Sequence, residues 1–450
     1  MAAIAVAAMI FTACSKSDDT PAGPSTGPST GPTPEEPSGK EMPTWIVYEA
    51  NPRFFATNDC LNALSAQLQR ISDLGCNVLW IMPICEPSTA SQSVGSPYSI
   101  KNYDVINPKY GTLADLQSLV NKAHGLGMKV ILDWVPNHTG WDNPWIYEHP
   151  EWFLHNNKGE IVSPPGMGWN DVAQLDYSKP GVAEGMSQAI EYWVTAADVD
   201  GFRFDYASSP YIPSSFWIDL AKDLRAMKSD MILLAECSDY SFYSYGYDMI
   251  YDWGSASTIS NAFLTGKTNQ IVQKAQAALE NVPEGDTILR YVFNHDTMAE
   301  QSINTYYGSI NALPAAYVCS AMLNGTPLIY SGMDAQGLTG KQSFFNYKTI
   351  TFSDQLTPVY AAINNAFKKT ATVRSGSLAD YSDGPVMAFT RTSGNSNMLV
   401  MVNCSGSTQK FVTPITLRYT TMTDLINGGS YSIPVEAELD PYGYMILISQ

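Results

Sequence analysis

The sequence predicts an α/β protein: a (β/α)8 TIM barrel with a short insertion after its third strand, followed by a C-terminal antiparallel β domain. Short apolar segments alternate with amphipathic segments eight times between residues 44 and 333. Near-continuous apolar strands between helices indicate a parallel sheet that is buried on both faces. Eight such units over roughly 330 residues fit a closed barrel better than an open, doubly wound sheet, which is the alternative.

Two parts of the chain do not follow this repeat of strands and helices. Residues 137–178 are rich in Trp, Pro, Gly and His and form the insertion after the third strand. An insertion that is longer than a simple connection, at the carboxyl-end face of a barrel, usually has a function. From residue 378 to residue 450, short alternating segments separated by turn residues predict the antiparallel β domain. The barrel is therefore assigned to residues 43–377.

Each predicted barrel strand is a largely apolar segment of six to nine residues. The amphipathic segments CLNALSAQLQRISDLG and LADLQSLVNKAHGLG predict the helices that precede the second and third strands. In chain order the predicted strands are TWIVYEA (44–50), NVLWIMPI (77–84), KVILDWVPN (129–137), GFRFDYA (201–207), MILLAECS (231–238), DMIYDW (248–253), ILRYVFNHD (288–296) and TPLIYSGM (326–333).

Charge and composition restrict the class of function. The chain has 450 residues, 45% of them hydrophobic, and a formal charge of −18 at neutral pH. Such a composition can build a large core. The acidity argues against a nucleic-acid partner, because a nucleic-acid binder needs a basic surface. We expect a monomer that acts on neutral ligands.

The amino terminus predicts a membrane anchor. Residues 1–14, MAAIAVAAMIFTAC, combine an apolar run too short to span a bilayer with small residues before Cys14. This pattern resembles the lipobox of a bacterial lipoprotein signal, in which the cysteine is lipidated; an ordinary signal peptide or a disordered apolar start is the alternative. Residues 15–42, rich in Pro, Gly, Ser and Thr, predict a disordered linker. We expect a Gram-negative cell-envelope protein, attached by lipid to the outer membrane at its periplasmic face or at the cell surface.

The other six cysteines are scattered along the chain and show no metal-ligand spacing. Disulfides and buried free thiols both remain open for them.

Charged and polar residues collect at the carboxyl ends of the predicted strands, where catalysis takes place in such barrels. In GFRFDYASS, Arg203 and Asp205 lie two residues apart and therefore point to the same side of the strand. We expect the residues at these strand ends to share one mouth of the barrel. The third, fourth, fifth and seventh strands contribute Asp133, Asn137, His138, Arg203, Asp205, Glu236, His295 and Asp296.

The motifs DWVPNH, GFRFDYASS, AECSD and FNHD occur in this order on these strands. Together they resemble the four signature regions of the alpha-amylase family, glycoside hydrolase family thirteen. The segment GSPYSIKNYDVINPKYGT is similar to the family segment after the second strand, and GTPLIYSGMD is similar to the eighth strand. The resemblance covers about residues 44–345.

The resemblance implies a retaining glycosidase with three catalytic carboxylates. Asp205 would be the nucleophile, Glu236 the general acid and base, and Asp296 the group that stabilises the transition state. Neighbouring strands carry Asp205 and Glu236, in agreement with the roughly 5 Å between carboxyls that retention requires. We expect Arg203 to keep Asp205 ionised, and neighbouring charges to keep Glu236 protonated.

By the same resemblance, further side chains bind the sugar or support the site. Tyr98 would stack on the sugar, a buried core tyrosine being the alternative. His138 and His295 would hydrogen-bond the sugar, and Asp133 would support Arg203. The predicted substrate-binding set is Tyr98, Asp133, His138, Arg203 and His295. Four tryptophans of the insertion are candidates for sugar platforms or for a subdomain core: Trp141, Trp145, Trp152 and Trp169.

Two places depart from the family's pattern. Ser208 and Ser209 stand where many members have lysine and histidine, so we expect binding beyond the cleaved bond to differ. Asn137 matches a ligand of the family's structural calcium, but Gln174 stands where its partner aspartate would be. Calcium binding weakens with fewer carboxylate ligands. We expect no required cofactor and no tightly held calcium at Asn137.

The predicted function is hydrolysis of α-1,4-glucosidic bonds in starch, maltodextrin or related α-glucans. A 4-α-glucanotransferase is an alternative, because it would use the same three carboxylates and differ only in the acceptor. A non-catalytic glucan-binding lipoprotein is a second alternative. The presence of Asp205, Glu236 and Asp296 argues against it.

Overall fold

The computed structural model describes residues 42–335 and 340–449. The predicted signal segment, Cys14 and residues 15–41 of the predicted linker lie outside the described residues. Eight parallel strands close into a barrel in the order β1-β8-β7-β6-β5-β4-β3-β2, which confirms the predicted fold class. The strands are β1 (Val47–Ala50), β2 (Val78–Ile81), β3 (Lys129–Trp134), β4 (Gly201–Phe204), β5 (Ile232–Ala235), β6 (Met249–Tyr251), β7 (Thr287–Arg290) and β8 (Thr326–Tyr330).

Most of the long helices around the barrel are amphipathic and bury one apolar face. The helix over Leu113–Gly125, for example, buries Leu116, Leu119 and Val120 and begins at a capping box of Thr112 and Asp115. Within the described residues the α-helices are α1 (Cys60–Ala66), α2 (Leu68–Asp73), α3 (Leu113–Gly125), α4 (Trp145–Glu148), α5 (Val182–Ala197), α6 (Ser214–Met227), α7 (Ser241–Ser244), α8 (Trp253–Thr265), α9 (Ile271–Leu279), α10 (His295–Glu300), α11 (Ile303–Tyr307), α12 (Leu313–Ala321), α13 (Leu356–Lys369) and α14 (Thr372–Ser375). Short 3-10 helices span Pro52–Phe54, Pro150–Trp152 and Ile310–Ala312.

The parallel register of β3, β4 and β5 determines which side chains meet at the mouth. Asp133 of β3 lies opposite Arg203 of β4. Gly201 opens β4, and a Cβ atom at this position would stand 2.0 Å from the Ile232 carbonyl oxygen of β5. Glycine is therefore required for the close approach of these two strands.

The insertion after β3 is a small subdomain with its own packing. Its antiparallel pair joins His138–Gly140 to Val172–Gln174. Phe153 is fully buried, and the rings of Trp145 and Trp152 pack edge to face with centroids 5.3 Å apart. These two tryptophans are partly buried and pack against the hydrophobic core. A second antiparallel pair, Cys85–Pro87 with Ile100–Ile106, follows β2.

The C-terminal domain is an antiparallel sheet with the strand order β9-β10-β11-β14-β12-β13, as predicted. A separate antiparallel pair joins Gln409–Val412 to Glu436–Leu439. The strands of the sheet are β9 (Ser377–Asp380), β10 (Val386–Ser393), β11 (Ser396–Asn403), β12 (Thr421–Asp424), β13 (Ser430–Ser432) and β14 (Tyr444–Ser449).

The six cysteines of the described chain are buried free thiols: Cys60, Cys76, Cys85, Cys237, Cys319 and Cys404. No helix within residues 42–335 and 340–449 combines the length and the hydropathy needed to cross a membrane.

Candidate active site

The residues predicted from the strand ends meet at the carboxyl-end mouth of the barrel. Asp133 lies in β3, Arg203 lies in β4, and Asp205 follows β4 directly. Glu236 is the first residue after β5, and His295 opens α10 a few residues beyond β7. Asp296 is in the first turn of α10, next to His295, and its side chain is 48% exposed.

The guanidinium of Arg203 is the centre of the site. Its Nη1 donates hydrogen bonds to Asp133 Oδ1 at 2.8 Å and to Asp205 Oδ1 at 3.2 Å. Its Nη2 forms an ion pair with Glu236 Oε1 at 2.6 Å, and its Nε donates to the Tyr251 hydroxyl at 3.2 Å. The side chain has no exposed surface. A fully buried cation of this kind is stable only with such partners, because desolvating an unpaired charge is costly.

A second polar chain joins Asp133 to the opposite side of the mouth. The Tyr98 hydroxyl donates to Asp133 Oδ2 at 2.9 Å and lies 2.9 Å from His295 Nε2. The other ring nitrogen, His295 Nδ1, lies 2.5 Å from Glu49 Oε1. Trp80 Nε1 donates to the same Asp133 oxygen at 3.1 Å. Asp133 is thus held by three donors, which fix its orientation towards Arg203.

The charge on His295 follows from its carboxylate neighbours. Burial disfavours the imidazolium, but Asp296 and Glu49 outweigh burial and raise the pKa of His295 to about 9. His295 is therefore a cation at neutral pH. Its Nε2–H points to the Tyr98 hydroxyl, which leaves that hydroxyl free to donate to Asp133.

Sequence analysis missed Glu49, Trp80 and Tyr251. All three side chains lie inside the barrel strands β1, β2 and β6 and are buried. The signal for Glu49 was present, because it is the one charged residue in the apolar run TWIVYEA. A buried carboxylate in a strand needs a partner, and here that partner is His295.

The electrostatics of Asp205 differ from the expectation that Arg203 keeps it ionised. Burial and the negative charge of Glu236 outweigh Arg203, so the pKa of Asp205 lies well above the ordinary aspartate range. Arg203 is also closer to Glu236 than to Asp205. The unliganded site therefore favours the protonated form of Asp205.

The backbone of Tyr206 directs a hydrogen bond to Glu236. Tyr206 has φ of +43°, in the left-handed region that non-glycine residues rarely adopt. Its backbone N–H donates to Glu236 Oε2 at 2.7 Å. With Arg203 on Oε1, both oxygens of the Glu236 carboxyl have a fixed partner.

The insertion supplies one aromatic wall of the site. Trp169 packs edge-on against His138, with ring centroids 5.5 Å apart, and against Tyr206, at 5.4 Å. Trp169 and Tyr206 are half-buried. Burial lowers the pKa of His138 to about 4, so this imidazole is neutral at neutral pH. The insertion's tryptophans are candidates either for sugar platforms or for a subdomain core. The position of Trp169 suits the first of these roles.

Tyr98 is more enclosed than the stacking prediction required. It is only 9% exposed, and its ring stacks on His295 with centroids 5.4 Å apart. Tyr98 therefore contacts the site through its hydroxyl, which binds Asp133, and through its ring, which packs on His295. Sugar stacking on Tyr98 stays a prediction.

The surroundings of Asn137 do not fit the calcium site of the family. The side-chain oxygen and the backbone carbonyl oxygen of Asn137 both accept hydrogen bonds from the Gln174 amide. Within residues 42–335 and 340–449, no group of three or more His, Cys, Asp or Glu side chains could hold a metal ion.

Comparison with known proteins identifies the family of the chain. The family model described as alpha amylase, catalytic domain, matches residues 56–160 and 166–384. The chain therefore belongs to the alpha-amylase family of glycoside hydrolases.

Individual relatives are distant in sequence. The chain is 28% identical to alpha-amylase 3 of Dictyoglomus thermophilum over 333 residues, which cover 66% of this chain and 65% of the relative. It is 23% identical to a cyclomaltodextrinase of Geobacillus thermopakistaniensis over 442 residues, which cover 91% of this chain and 73% of the relative. The crystal structure of an alpha-amylase from Lactobacillus plantarum is similar with a TM-score of 0.79 at 27% identity, covering 90% of this chain and 99% of that one.

The raised pKa of Asp205 predicts that Asp205→Asn stabilises the protein at neutral pH. The folded state holds the Asp205 proton more tightly than the unfolded state, so Asp205 lowers stability as pH rises above the ordinary aspartate pKa of about 4. We expect the melting temperature of Asp205→Asn to equal that of the wild type near pH 4 and to exceed it by a few degrees near pH 7. Differential scanning calorimetry across this range measures the difference.

Asp219→Asn on α6 is the control, because it makes the same chemical change at an exposed position. A lower melting temperature for Asp205→Asn than for the wild type at pH 7 would show that Arg203, and not burial, dominates at Asp205.

Proposed function

We propose that this enzyme hydrolyses α-1,4-glucosidic bonds of starch, maltodextrin or related α-glucans with retention of anomeric configuration. The observation that carries the proposal is the contact of Arg203 with both Asp205 and Glu236, which extend from neighbouring strands. Retaining enzymes need carboxyls roughly 5 Å apart, whereas inverting enzymes need roughly 6.5 to 9.5 Å. A single guanidinium that reaches both carboxyls favours the closer spacing.

The first chemical step pairs nucleophilic attack with proton donation. The Asp205 carboxylate attacks the anomeric carbon while Glu236 protonates the glycosidic oxygen, so the bond to the leaving sugar breaks and a glycosyl ester forms on Asp205. Proton donation requires that Glu236 carry a proton, and Asp205 none, when the attack takes place. Arg203 contacts both carboxyls and can stabilise whichever of them carries the negative charge.

The second step returns the enzyme to its starting state. Glu236, now a carboxylate, takes a proton from water, and the resulting nucleophile attacks the anomeric carbon and releases Asp205. Because the carbon is attacked twice from opposite faces, the product keeps the original configuration. A sugar hydroxyl in place of water would make the same site a glucanotransferase.

The position of Asp296 next to His295 suits a role in binding the sugar. The Asp296 carboxylate is half exposed, and its Oδ2 lies 3.4 Å from the cationic His295. We assign it to the sugar hydroxyls next to the anomeric carbon, where hydrogen bonds strengthen as positive charge develops in the transition state. His138 and Tyr98 stand beside the same cleft.

The nature of the substrate is supported by the aromatic wall and by the relatives. Trp169 and Tyr206 offer a half-buried apolar surface next to Glu236, and sugar rings pack their C–H faces on such surfaces. Relatives named alpha-amylase, cyclomaltodextrinase and maltogenic alpha-amylase are named for action on α-glucans or their cyclic forms. The overall acidity of the chain suits an uncharged substrate.

Substitution of the two carboxylates tests the proposed chemistry. Asp205→Asn removes the nucleophile and Glu236→Gln removes the proton donor, so each should lower kcat on a maltooligosaccharide by about a thousandfold or more. Asp219→Asn is the matched control and should keep wild-type activity. Proton NMR of the wild-type reaction should show the α-anomer as the first product. Activity within about tenfold of the wild type for either variant, or a β-anomer as first product, would refute the assigned roles.

We also propose that the chain is lipidated at Cys14. In a Gram-negative host, the wild-type protein should partition into the detergent phase of a detergent extract, because a lipid chain adds apolar surface. Cys14→Ser should move it to the aqueous phase or leave the precursor uncleaved. Aqueous partitioning of the wild-type protein would disprove the anchor.

A further inference from the structure

The side-chain amide of Gln174 lies at a point where three oxygens converge. Its Nε2 is 2.9 Å from the Asn137 carbonyl oxygen, 3.0 Å from Asn137 Oδ1 and 2.9 Å from the Leu175 carbonyl oxygen. Gln174 and Asn137 are both fully buried. An amide nitrogen has two protons, so it meets one more acceptor than it can serve with separate hydrogen bonds.

The rest of the network fixes the orientation of both amides. Gln174 Oε1 accepts a hydrogen bond from Asn137 Nδ2 at 3.2 Å, and Asn137 Oδ1 accepts another from the Ser209 hydroxyl at 2.6 Å. A rotated Gln174 amide would place its oxygen against three other oxygens. The nitrogen must therefore face the carbonyls.

The cluster joins three parts of the chain. Asn137 lies just beyond β3, Gln174 ends the strand Val172–Gln174 of the insertion, and Ser209 lies four residues after Asp205. Several oxygens around one centre, drawn from separate segments, form the kind of environment that otherwise suits a hard cation such as calcium. The centre here is an uncharged N–H donor.

We propose that the Gln174 amide nitrogen takes the place of a divalent cation and joins the two ends of the insertion to each other through hydrogen bonds alone. The oxygens of Asn137 and Leu175 are satisfied by an internal donor, so the fold needs no metal at this position. The inference concerns how the insertion is held, and its test does not depend on the proposed reaction.

A nearly isosteric substitution can replace the hydrogen-bond donor at this centre with an acceptor. Gln174→Glu replaces the donor NH2 with a carboxylate oxygen, which then faces the Asn137 and Leu175 oxygens without a proton between them. Such a buried set is repulsive without a cation. With calcium it becomes a set of oxygen ligands that includes one carboxylate, which calcium prefers. The variant should therefore become dependent on calcium for stability.

Thermal unfolding measures this dependence. Wild-type protein, Gln174→Glu and the control Gln117→Glu are each scanned with excess EDTA, with millimolar calcium and with millimolar magnesium. Gln117 is a suitable control because its amide also donates to a backbone carbonyl, that of Ala196 at 2.7 Å, but at the protein surface. The melting temperatures of the wild type and of Gln117→Glu should differ by less than about 2 °C among the three conditions.

For Gln174→Glu we expect a melting temperature lower by about 5 °C or more in EDTA, recovered in calcium and not in magnesium. Two results would overturn the proposal. One is a fall of about ten degrees or more for the wild type in EDTA that calcium reverses. The other is a Gln174→Glu variant as stable in EDTA as the wild type.

If Gln174→Glu cannot be purified, calorimetric titration of EDTA-treated, desalted wild-type protein with calcium decides the question. We expect no saturable binding heat. A stoichiometric binding event that Gln174→Ala weakens would overturn the proposal, because it would place a cation where the amide is assigned.

Discussion

The catalytic mouth depends on one buried cation shared among three carboxyl groups. Arg203 has no exposed surface and touches Asp133, Asp205 and Glu236. These groups come from β3, β4 and β5, so the guanidinium joins three consecutive strand ends. Without it, the carboxyls would repel one another in a poorly solvated site, at a cost of several kcal/mol for each buried charge. The positions of the proposed nucleophile and acid therefore follow from Arg203.

The barrel brings this cluster together through its register. Because Asp133 lies opposite Arg203 in the parallel pairing, their side chains leave neighbouring strands at the same height. Asp205 follows Arg203 by two residues, so both side chains point to the same side. Gly201 allows β4 to approach β5 closely enough for Glu236 to reach the same guanidinium. Local sequence and strand pairing together produce one site from residues far apart in the chain.

Much of this arrangement is predictable from the sequence because its causes are local. Apolar runs mark the eight strands, and polar residues just beyond them mark the mouth, since buried strands exclude unpaired charge. Glu49, Trp80 and Tyr251 could not be placed in this way. Their side chains belong to the site through contacts across the barrel, which depend on the closure of eight strands.

The protonation state of Asp205 and the positions of the insertion's tryptophans could not be predicted without the three-dimensional structure. The pair Arg203 and Asp205 suggested an ionised aspartate, but the depth of the site and the proximity of Glu236 favour its protonated form. Among the tryptophans of the insertion, composition could not separate Trp169, which contacts Tyr206 beside Glu236, from Trp145 and Trp152, which pack on each other. Both distinctions depend on which surfaces the folded chain covers.

The central claim is that Arg203 presents Asp205 as the nucleophile and Glu236 as its acid partner. The most direct test is covalent trapping with a 5-fluoro-α-glycosyl fluoride, which slows hydrolysis of the glycosyl-enzyme, followed by proteolysis and mass spectrometry. The account predicts a single added sugar on the peptide that carries Asp205. A label on Glu236 or Asp296, or turnover of the reagent with no labelled peptide under conditions that trap the intermediate of a known retaining α-glucosidase, would contradict it.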